Sequence, residues 1–302
     1  MNKNSMSCPL CGSNTFIPLF VFQNSRTVGA KNLLYERCKF CTLIRINPMP
    51  SLKQLESLYS EKEYFEKLAR PTGRSLLDAI LSIRFFPEYD EYVEKHTSKG
   101  SLLDIGCGNG EFAEKMLLRG WSVQCIEKSI VAAKRAEKRI GIGKIKVGEV
   151  TEVDLKSSFD VITAWHVLEH VPNPFEFVQK IGLWLKPKGK FIFEIPNANS
   201  FNLWLFRRYY SWLMVPEHIF YYNPQSIVKL LDLAGLHVVE FSFPTRAILN
   251  FSLSVRKIVA QKIGTFVANI LFIVSLPLSL LEALLASLTG RSEVVRVVAS
   301  KN

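Results

Sequence analysis

Ser101-Leu-Leu-Asp-Ile-Gly-Cys-Gly-Asn-Gly110 decides the fold of this 302-residue chain. Residues 101–105 read as a short buried strand and 111–119, behind the glycines, as an amphipathic helix. Without β-carbons, Gly106, Gly108 and Gly110 let backbone approach a ligand closely, and the helix start offers unpaired N–H groups. Asp104 at the strand end can order that loop. Strand signals recur at 122–126, 145–147, 159–163, 190–195 and 238–242, with helical stretches between most of them. Such alternation predicts an α/β protein with an open, largely parallel sheet covered on both faces, its ligands at the carboxyl ends of the strands.

The second of these strands ends at Glu127, roughly 20 residues after the glycines, where a carboxylate accepts hydrogen bonds from two ribose hydroxyls. An adenosine-containing ligand is therefore expected. The glycines follow the short GxGxG form rather than GxGxxG, which argues against a nicotinamide cofactor.

Leu103-Asp-Ile-Gly-Cys-Gly-Asn-Gly110, Glu127 and Phe159-Asp-Val-Ile-Thr-Ala-Trp-His-Val-Leu-Glu-His170 resemble the signature of class I S-adenosylmethionine-dependent methyltransferases. Leu185-Lys-Pro-Lys-Gly189, Pro196-Asn197 and Leu231-Asp-Leu-Ala-Gly-Leu-His-Val238 are similar to later landmarks of that family, and the likeness covers about residues 100–243. It implies a Rossmann-like fold with a mostly parallel seven-stranded sheet and S-adenosyl-L-methionine as cofactor. On this resemblance the glycine loop and Asp104 hold the amino-acid end of the cofactor and Glu127 its ribose, while Glu149 and Val150 fall near adenine. Trp165 and His166 line the pocket near the sulfonium.

Ahead of this region stand Cys8-Pro-Leu-Cys11 and Cys38-Lys-Phe-Cys41, two CxxC pairs with 26 residues between them. The spacing suits a tetrahedral Zn2+ site of four thiolates, closed and therefore structural. A redox role for either pair is the alternative. Residues 1–50 are read as a small zinc ribbon whose metal supplies much of its folding free energy. The double CxxC module is similar, more loosely, to a subgroup of methyltransferases in which sugar-modifying enzymes are represented. Residues 51–99 read as a helical connector or lid, and 100–302 as the methyltransferase domain with an apolar insertion at 244–292.

The composition, 48% apolar, 12% aromatic and 22% charged, is that of a compact protein, and mean hydropathy is +0.13. A formal charge of +11 attracts anions: phosphorylated metabolites, nucleic acid or acidic headgroups. The first residues lack the apolar run of a secretory signal, so a cytoplasmic location is expected.

For acceptor chemistry the available imidazoles are His166, His170 and His218. His166 and His170 would share one face of a helix, where a metal pair is conceivable, but loop-ordering hydrogen bonds are the favoured reading. His218 lies in Pro216-Glu-His-Ile-Phe-Tyr-Tyr222 within an aromatic-rich insertion. Related sugar methyltransferases use a histidine and a tyrosine in a comparable place, which makes His218 the expected base with Tyr222 assisting, although a purely loop-fixing role is open.

Residues 263–288 carry one ionised group, Glu282, and could be taken for a membrane span. Residues 294–299 look like the final sheet strand, so the chain must return to the side it left. Split at Pro277, each leg is too short to cross a bilayer. A monotopic hairpin peripheral to an acidic membrane is expected, flanked by Arg246, Arg256, Lys257, Lys262 and Arg291, with a buried helical cap as the alternative. The expected acceptor is a small molecule, sugar nucleotide, glycolipid or other lipid-linked sugar. A nucleic-acid methyltransferase is the second reading, disfavoured because no Asn-Pro-Pro-Tyr-like motif is present and the basic residues are scattered. A non-catalytic zinc-bearing membrane adaptor is the third.

Overall fold

The computed structural model describes residues 7–25, 30–51, 53–55, 89–155, 158–245 and 248–302. Three strands open the chain: β1 (Phe16–Ser25), β2 (Ala30–Cys38) and β3 (Ile44–Asn47). Most of the expected helical connector lies outside the described residues, which resume with helix α1 (Tyr89–His96). The α/β region then runs β4 (Ser101–Ile105), α2 (Glu111–Leu118), β5 (Ser122–Glu127), α3 (Ile130–Ile140), β6 (Ile145–Val147), β7 (Phe159–Trp165), α4 (Pro174–Trp184) and β8 (Leu185–Pro196). An excursion follows, with α5 (Phe201–Phe206) and β9 (Phe220–Tyr221), and leads to α6 (Pro224–Leu233) and β10 (Leu236–Ser242). A second excursion holds α7 (Asn250–Lys262), α8 (Thr265–Val274) and α9 (Leu276–Leu288) before the last strand, β11 (Val294–Lys301).

Seven strands form one sheet in the order β10-β11-β8-β7-β4-β5-β6. Pairing is parallel from β6 through to β8, and β11 runs antiparallel to both of its neighbours. This is the Rossmann-like methyltransferase arrangement implied by the sequence. The central strands are buried on both faces, as Leu102, Leu103, Val161, Ile162, Ile192 and Phe193 illustrate, and their apolar runs are what a sheet covered by helices requires.

The amino-terminal strands make a second, four-stranded sheet, and its fourth strand is β9. Ile44 and Arg45 pair with Tyr221 and Phe220, and buried Tyr35 donates its hydroxyl to the His218 carbonyl at 2.6 Å. One continuous apolar core runs from Leu33 and Leu43 through Phe220 to Phe191 and Phe193 of the large sheet. The amino-terminal strands thus bury their apolar faces against the first excursion, which supplies the core that some 45 residues lack by themselves.

Both excursions are tied down where β8 ends and β11 begins. Asn197, 1% exposed, donates Nδ2 to the carbonyls of Gly290 and Ser292 at 3.2 and 2.9 Å, and its Oδ1 accepts from the Asn199 N–H at 2.9 Å. Buried Glu293 gathers Ser200 Oγ at 2.9 Å together with Asn202 Nδ2 and the Tyr210 hydroxyl. Burial pushes the Glu293 carboxyl up to about 7 although these donors oppose the shift. An Asn197→Ala variant leaves two carbonyls without their donor and should lose about 2 kcal/mol or more of stability. Urea unfolding followed by tryptophan fluorescence measures this, and a midpoint equal to wild type would show that the clamp contributes nothing.

Candidate active site and metal centre

The glycine loop leaves β4 in a left-handed course, with φ of 68°, 56° and 80° at Gly106, Gly108 and Gly110. A β-carbon on Gly106 would stand 2.6 Å from Val167 Cγ2, and one on Gly110 would stand 2.9 Å from Ala136 Cβ, so both glycines are needed for packing. Gly108 differs: nothing lies within 4 Å of its β-carbon position. That open space is where a ligand can meet bare main chain.

Glu127, at the end of β5, accepts from Gly108 N–H through Oε2 and from Ser129 N–H through Oε1, both at 2.8 Å. Burial raises its pKa, and the backbone N–H groups of Ser129, Gly108 and Lys128 resist the rise. The carboxylate thereby sets the height of the glycine loop and keeps lone pairs for further hydroxyl donors. Asp104 is 1% exposed and accepts from Thr163 Oγ1 at 2.8 Å across the β4–β7 pair. Burial drives its carboxyl up to about 7, opposed by Thr163 and reinforced by the charge of Glu127. Two buried polar atoms near the loop lack partners among the described residues, Asn109 Oδ1 and Trp165 Nε1.

Glu149 forms an ion pair with Lys128 just beyond β6, and the adjoining Val150 is buried in the core. Trp165 closes β7 with its ring stacked on Tyr89 at 3.9 Å and edge-on to Phe112 at 5.4 Å. Residues from the ends of β4, β5, β6 and β7 therefore converge at one edge of the sheet, where an open parallel sheet takes its ligand.

His166 follows at φ 57°, and the chain then makes a single 3-10 turn at Leu168–His170. No α-helix forms here, so the rings of His166 and His170 do not share a helix face. His166 Nδ1 stands 3.3 Å from Glu169 Oε1, and Nε2 stands 3.4 Å from Glu194 Oε1, with both carboxylates fully buried. Burial works against the imidazolium, but the two carboxylates outweigh it and raise His166 to about 10. Glu194 is also held by Arg296 Nε at 3.0 Å and by the Tyr89 hydroxyl at 2.9 Å.

His218 is 3% exposed. Burial first, then the neighbouring His170, lowers it to about 3, so its ring is neutral. Its Nδ1 meets the hydroxyl of Tyr221 at 3.1 Å, where the sequence pointed to Tyr222. The Tyr222 hydroxyl is buried without a partner among the described residues. Glu169, His170 and His218 bring one ligand-type atom each within 4.8 Å of one another, and the His170 Nδ1 bonds the Glu217 carbonyl at 2.7 Å.

The four amino-terminal cysteines also converge. Sγ atoms of Cys8 and Cys41 are 3.3 Å apart and those of Cys11 and Cys38 3.5 Å, and all four lie within 4.8 Å of one another. A disulfide needs about 2.05 Å. Four thiolates about 2.3 Å from a central Zn2+ would be separated by about 3.8 Å, close to the spacing present. The donor set fits zinc. A separate cleft between the second knuckle and α6, lined by Phe40, Cys41, Val228, Lys229 and Asp232, shares no residue with the glycine-loop site.

Sequence reasoning overlooked Glu194 and Arg296. Each was the lone charged residue inside an apolar strand core, a signal that a buried partner is needed. Their antiparallel register places them opposite each other. Because His166 is held charged to about 10 against about 6.5 in an unfolded chain, its stabilisation is complete below about pH 6.5 and is lost as pH rises through about 10. The difference in unfolding temperature between wild type and His166→Gln should therefore be widest in mild acid and close toward pH 10; a gap that stays constant would refute the charged assignment.

The sequence pattern of a family described as a methyltransferase domain matches residues 77–241, more than half of the chain. The mitochondrial ubiquinone biosynthesis O-methyltransferase of Schizosaccharomyces pombe is 31% identical over 146 residues, which is 44% of this chain and 53% of that protein. The chain thus spans about half the length of that relative. The ubiquinone biosynthesis O-methyltransferase of Idiomarina loihiensis is 30% identical over 167 residues, 50% of this chain and 68% of its own. Among solved structures, an S-adenosylmethionine-dependent methyltransferase from Mesorhizobium loti superposes with a TM-score of 0.48 at 15% identity, covering 70% of this chain and 96% of its own. With its glycine loop, sheet order and matching pattern taken together, the chain belongs to the methyltransferase-domain family.

Proposed function

We propose that this protein transfers the methyl group of S-adenosylmethionine to an oxygen of a small, hydroxylated acceptor, and that its four cysteines hold a structural zinc ion. The observation that carries the reading is the open space above left-handed Gly108, floored by bare backbone and bracketed by Glu127. S-adenosylmethionine supplies an electrophilic methyl carbon on a positively charged sulfur. The chain's task is then to position donor and acceptor in line and to manage one proton.

Glu127 offers its remaining lone pairs to the ribose hydroxyls, and the rim formed by Glu149 and Val150 borders the adenine. Asp104 holds the strand end beneath the amino-acid portion rather than touching it, since it is buried against Thr163. On the acceptor side His218 is the neutral imidazole, and neutrality is what a general base needs. Its Nε2 is 4.0 Å from Glu169 Oε1, a carboxylate that stays ionised because the histidines around it overcome its burial. A proton accepted by His218 would therefore arrive beside a negative charge. Tyr221 fixes the ring through Nδ1, which leaves Nε2 to work; the buried Tyr222 hydroxyl has no partner among the described residues.

The O-methyltransferase names of the relatives favour a hydroxyl as the accepting group. The double CxxC module favours a sugar nucleotide or lipid-linked sugar among the small-molecule acceptors.

Gly108→Leu tests the donor site. The added side chain meets no protein atom at its β-carbon, so the fold should persist at a cost of about 1 kcal/mol for the left-handed backbone. Calorimetric affinity for S-adenosylmethionine should fall by more than about tenfold because the side chain fills the space the donor needs. A folded variant that binds the donor as wild type does would remove the proposed pocket. Elemental analysis should return one zinc per chain, and Cys38→Ala should lose the metal and lower the unfolding temperature; a metal-free wild type with the same unfolding temperature as the purified chain would dismiss the zinc.

A further inference from the structure

The second excursion is built inside out. Along α8 and α9 the small residues face the protein: Ala268, Ser275, Ser279, Ala283 and Ala286 are buried, with Phe272 the one large exception. The large residues face outward. From Ile263 to Leu288 thirteen large apolar side chains are exposed, among them Phe266 at 78%, Val274 at 65%, Leu281 at 54%, Leu284 at 56% and Leu288 at 84%. A helix of a water-soluble protein carries the opposite pattern, and isolated exposed leucines do not form so continuous a surface.

The inversion follows from the packing underneath. Ser279 sits on α7 through the Ser252 N–H at 3.4 Å and also bonds the Ile248 carbonyl. Ser287 bonds the Phe243 carbonyl. Hydroxyls and alanines lie at the contact because backbone must come close there, and the leucines are left for the other side. The helices break at Ser275 rather than at Pro277, since proline is accepted in the first turn of the helix it opens. The two helices bend by 56°, and no single helix among the described residues is long and apolar enough to cross a membrane.

We infer that the outer face of α8 and α9 is a docking surface for an anionic lipid bilayer, lying in the interface without crossing it. Charge selects this occupant over a second copy of the chain. Residues 244–292 contain five lysines and arginines and one acid. The acid, Glu282, is turned inward and accepts from Asn202 Nδ2 at 3.1 Å. Exposed Lys262 precedes α8 and exposed Arg291 follows α9, so each end of the apolar face carries a cation. Two such faces brought together would oppose cation to cation with no carboxylate between them, whereas anionic headgroups around buried leucines satisfy both features. The apolar rim extends to Phe201, whose N–H donates to the Arg291 carbonyl at 3.0 Å, and to half-exposed Leu205 one turn on.

The docked face is wired to the acceptor side. Ser211 bonds Ser254 Oγ at 3.0 Å and the Asn250 carbonyl at 3.2 Å, so α7 clamps the loop whose next residue, Trp212, lies 5.6 Å from the His166 ring. Resting on the proposed methyl transfer, this contact suits an acceptor that carries a lipid tail; the docking itself stands without it.

Co-sedimentation of the full chain with phosphatidylcholine vesicles, with and without phosphatidylglycerol, tests the surface. The protein should pellet with the anionic vesicles, and Leu281→Glu/Leu284→Glu should lower the bound fraction by about tenfold or more. Circular dichroism and S-adenosylmethionine affinity of that variant should match wild type, because both side chains point away from the protein. Should the double variant not fold, Lys262→Glu provides a milder arm and should weaken binding to anionic vesicles alone. Wild-type protein that stays in the supernatant with both vesicle types would overturn the inference. So would vesicle binding untouched by these variants, or a dimer seen in sedimentation velocity that Leu281→Glu/Leu284→Glu dissolves.

Discussion

A carboxylate with no access to water, Glu194 near the carboxyl end of β8, is the constraint around which this molecule is organised. An ionised group so placed is tolerable only if fixed positive charge and hydrogen-bond donors surround it. Arg296 meets it from β11, Tyr89 from α1 and His166 from the loop after β7. Three segments far apart in sequence are thereby held at one point beside the glycine loop. Arg296 in turn lies over the rings of Tyr92 at 4.2 Å and Tyr89 at 5.2 Å, so its unbonded faces are also covered. The antiparallel placement of β11 gives this pair its register. β10 ends beside the start of β11, Ser242 opposite Arg296, so the apolar excursion leaves the sheet and returns to it at one place.

The two excursions and the cysteine-bearing strands form a single polar and apolar unit on the sheet's ligand edge. The first excursion gives β9 to the amino-terminal sheet and receives Tyr35 in return. The second clamps the first through Ser211 and through Glu293, whose three donors, Ser200, Asn202 and Tyr210, all belong to the first. A zinc ion at the four thiolates would thus brace more than its own ribbon: pulling on β3 pulls on β9, and β9 directly follows His218. A metal bound there would be coupled to the surroundings of His218 through the β3–β9 ladder.

Much of this was legible in the residues. The period of strand and helix, the bare GxGxG turn and the acid closing the second strand are local signals, because each depends on a few consecutive positions. The strands at 101–105 and 145–147 coincide with β4 and β6, and the expected final strand is the core of β11. Two CxxC pairs likewise announce by spacing that four cysteines belong together, and their sulfurs do converge. What stayed hidden was long-range or depended on conformation at a single residue. His166 takes a left-handed turn, so the shared helix face that a metal pair would need does not form, and the favoured loop-ordering reading agrees with the contacts His166–Glu169 and His170–Glu217. Strict alternation would pair residue 218 with 222, and the local path of the chain into β9 brings Tyr221 to His218 instead. Adoption of β9 by the amino-terminal sheet joins residues some 175 positions apart, and no local pattern in 1–50 announces it.

The two site histidines show how one buried carboxylate can divide labour. Glu169 stands 3.3 Å from His166 Nδ1 and 4.0 Å from His218 Nε2. At the shorter distance, with Glu194 on the opposite nitrogen, attraction exceeds the cost of desolvation and the ring stays charged. At the longer distance, with His170 packed edge-on at 4.9 Å, desolvation wins and the ring is neutral. The cluster therefore sets a charged imidazole and a neutral one on the same carboxylate. A positive His166 would repel a sulfonium that faced it directly, so under the proposed methyl transfer it would orient Glu169, and a proton collected by His218 would meet a carboxylate already desolvated and in place. Water at this point would erase the distinction by screening both contacts. The His166 side chain keeps 31% of its exposure, with the Trp212 ring 5.6 Å away, so the distinction rests on the contacts that face inward, where Glu169 and Glu194 are fully buried.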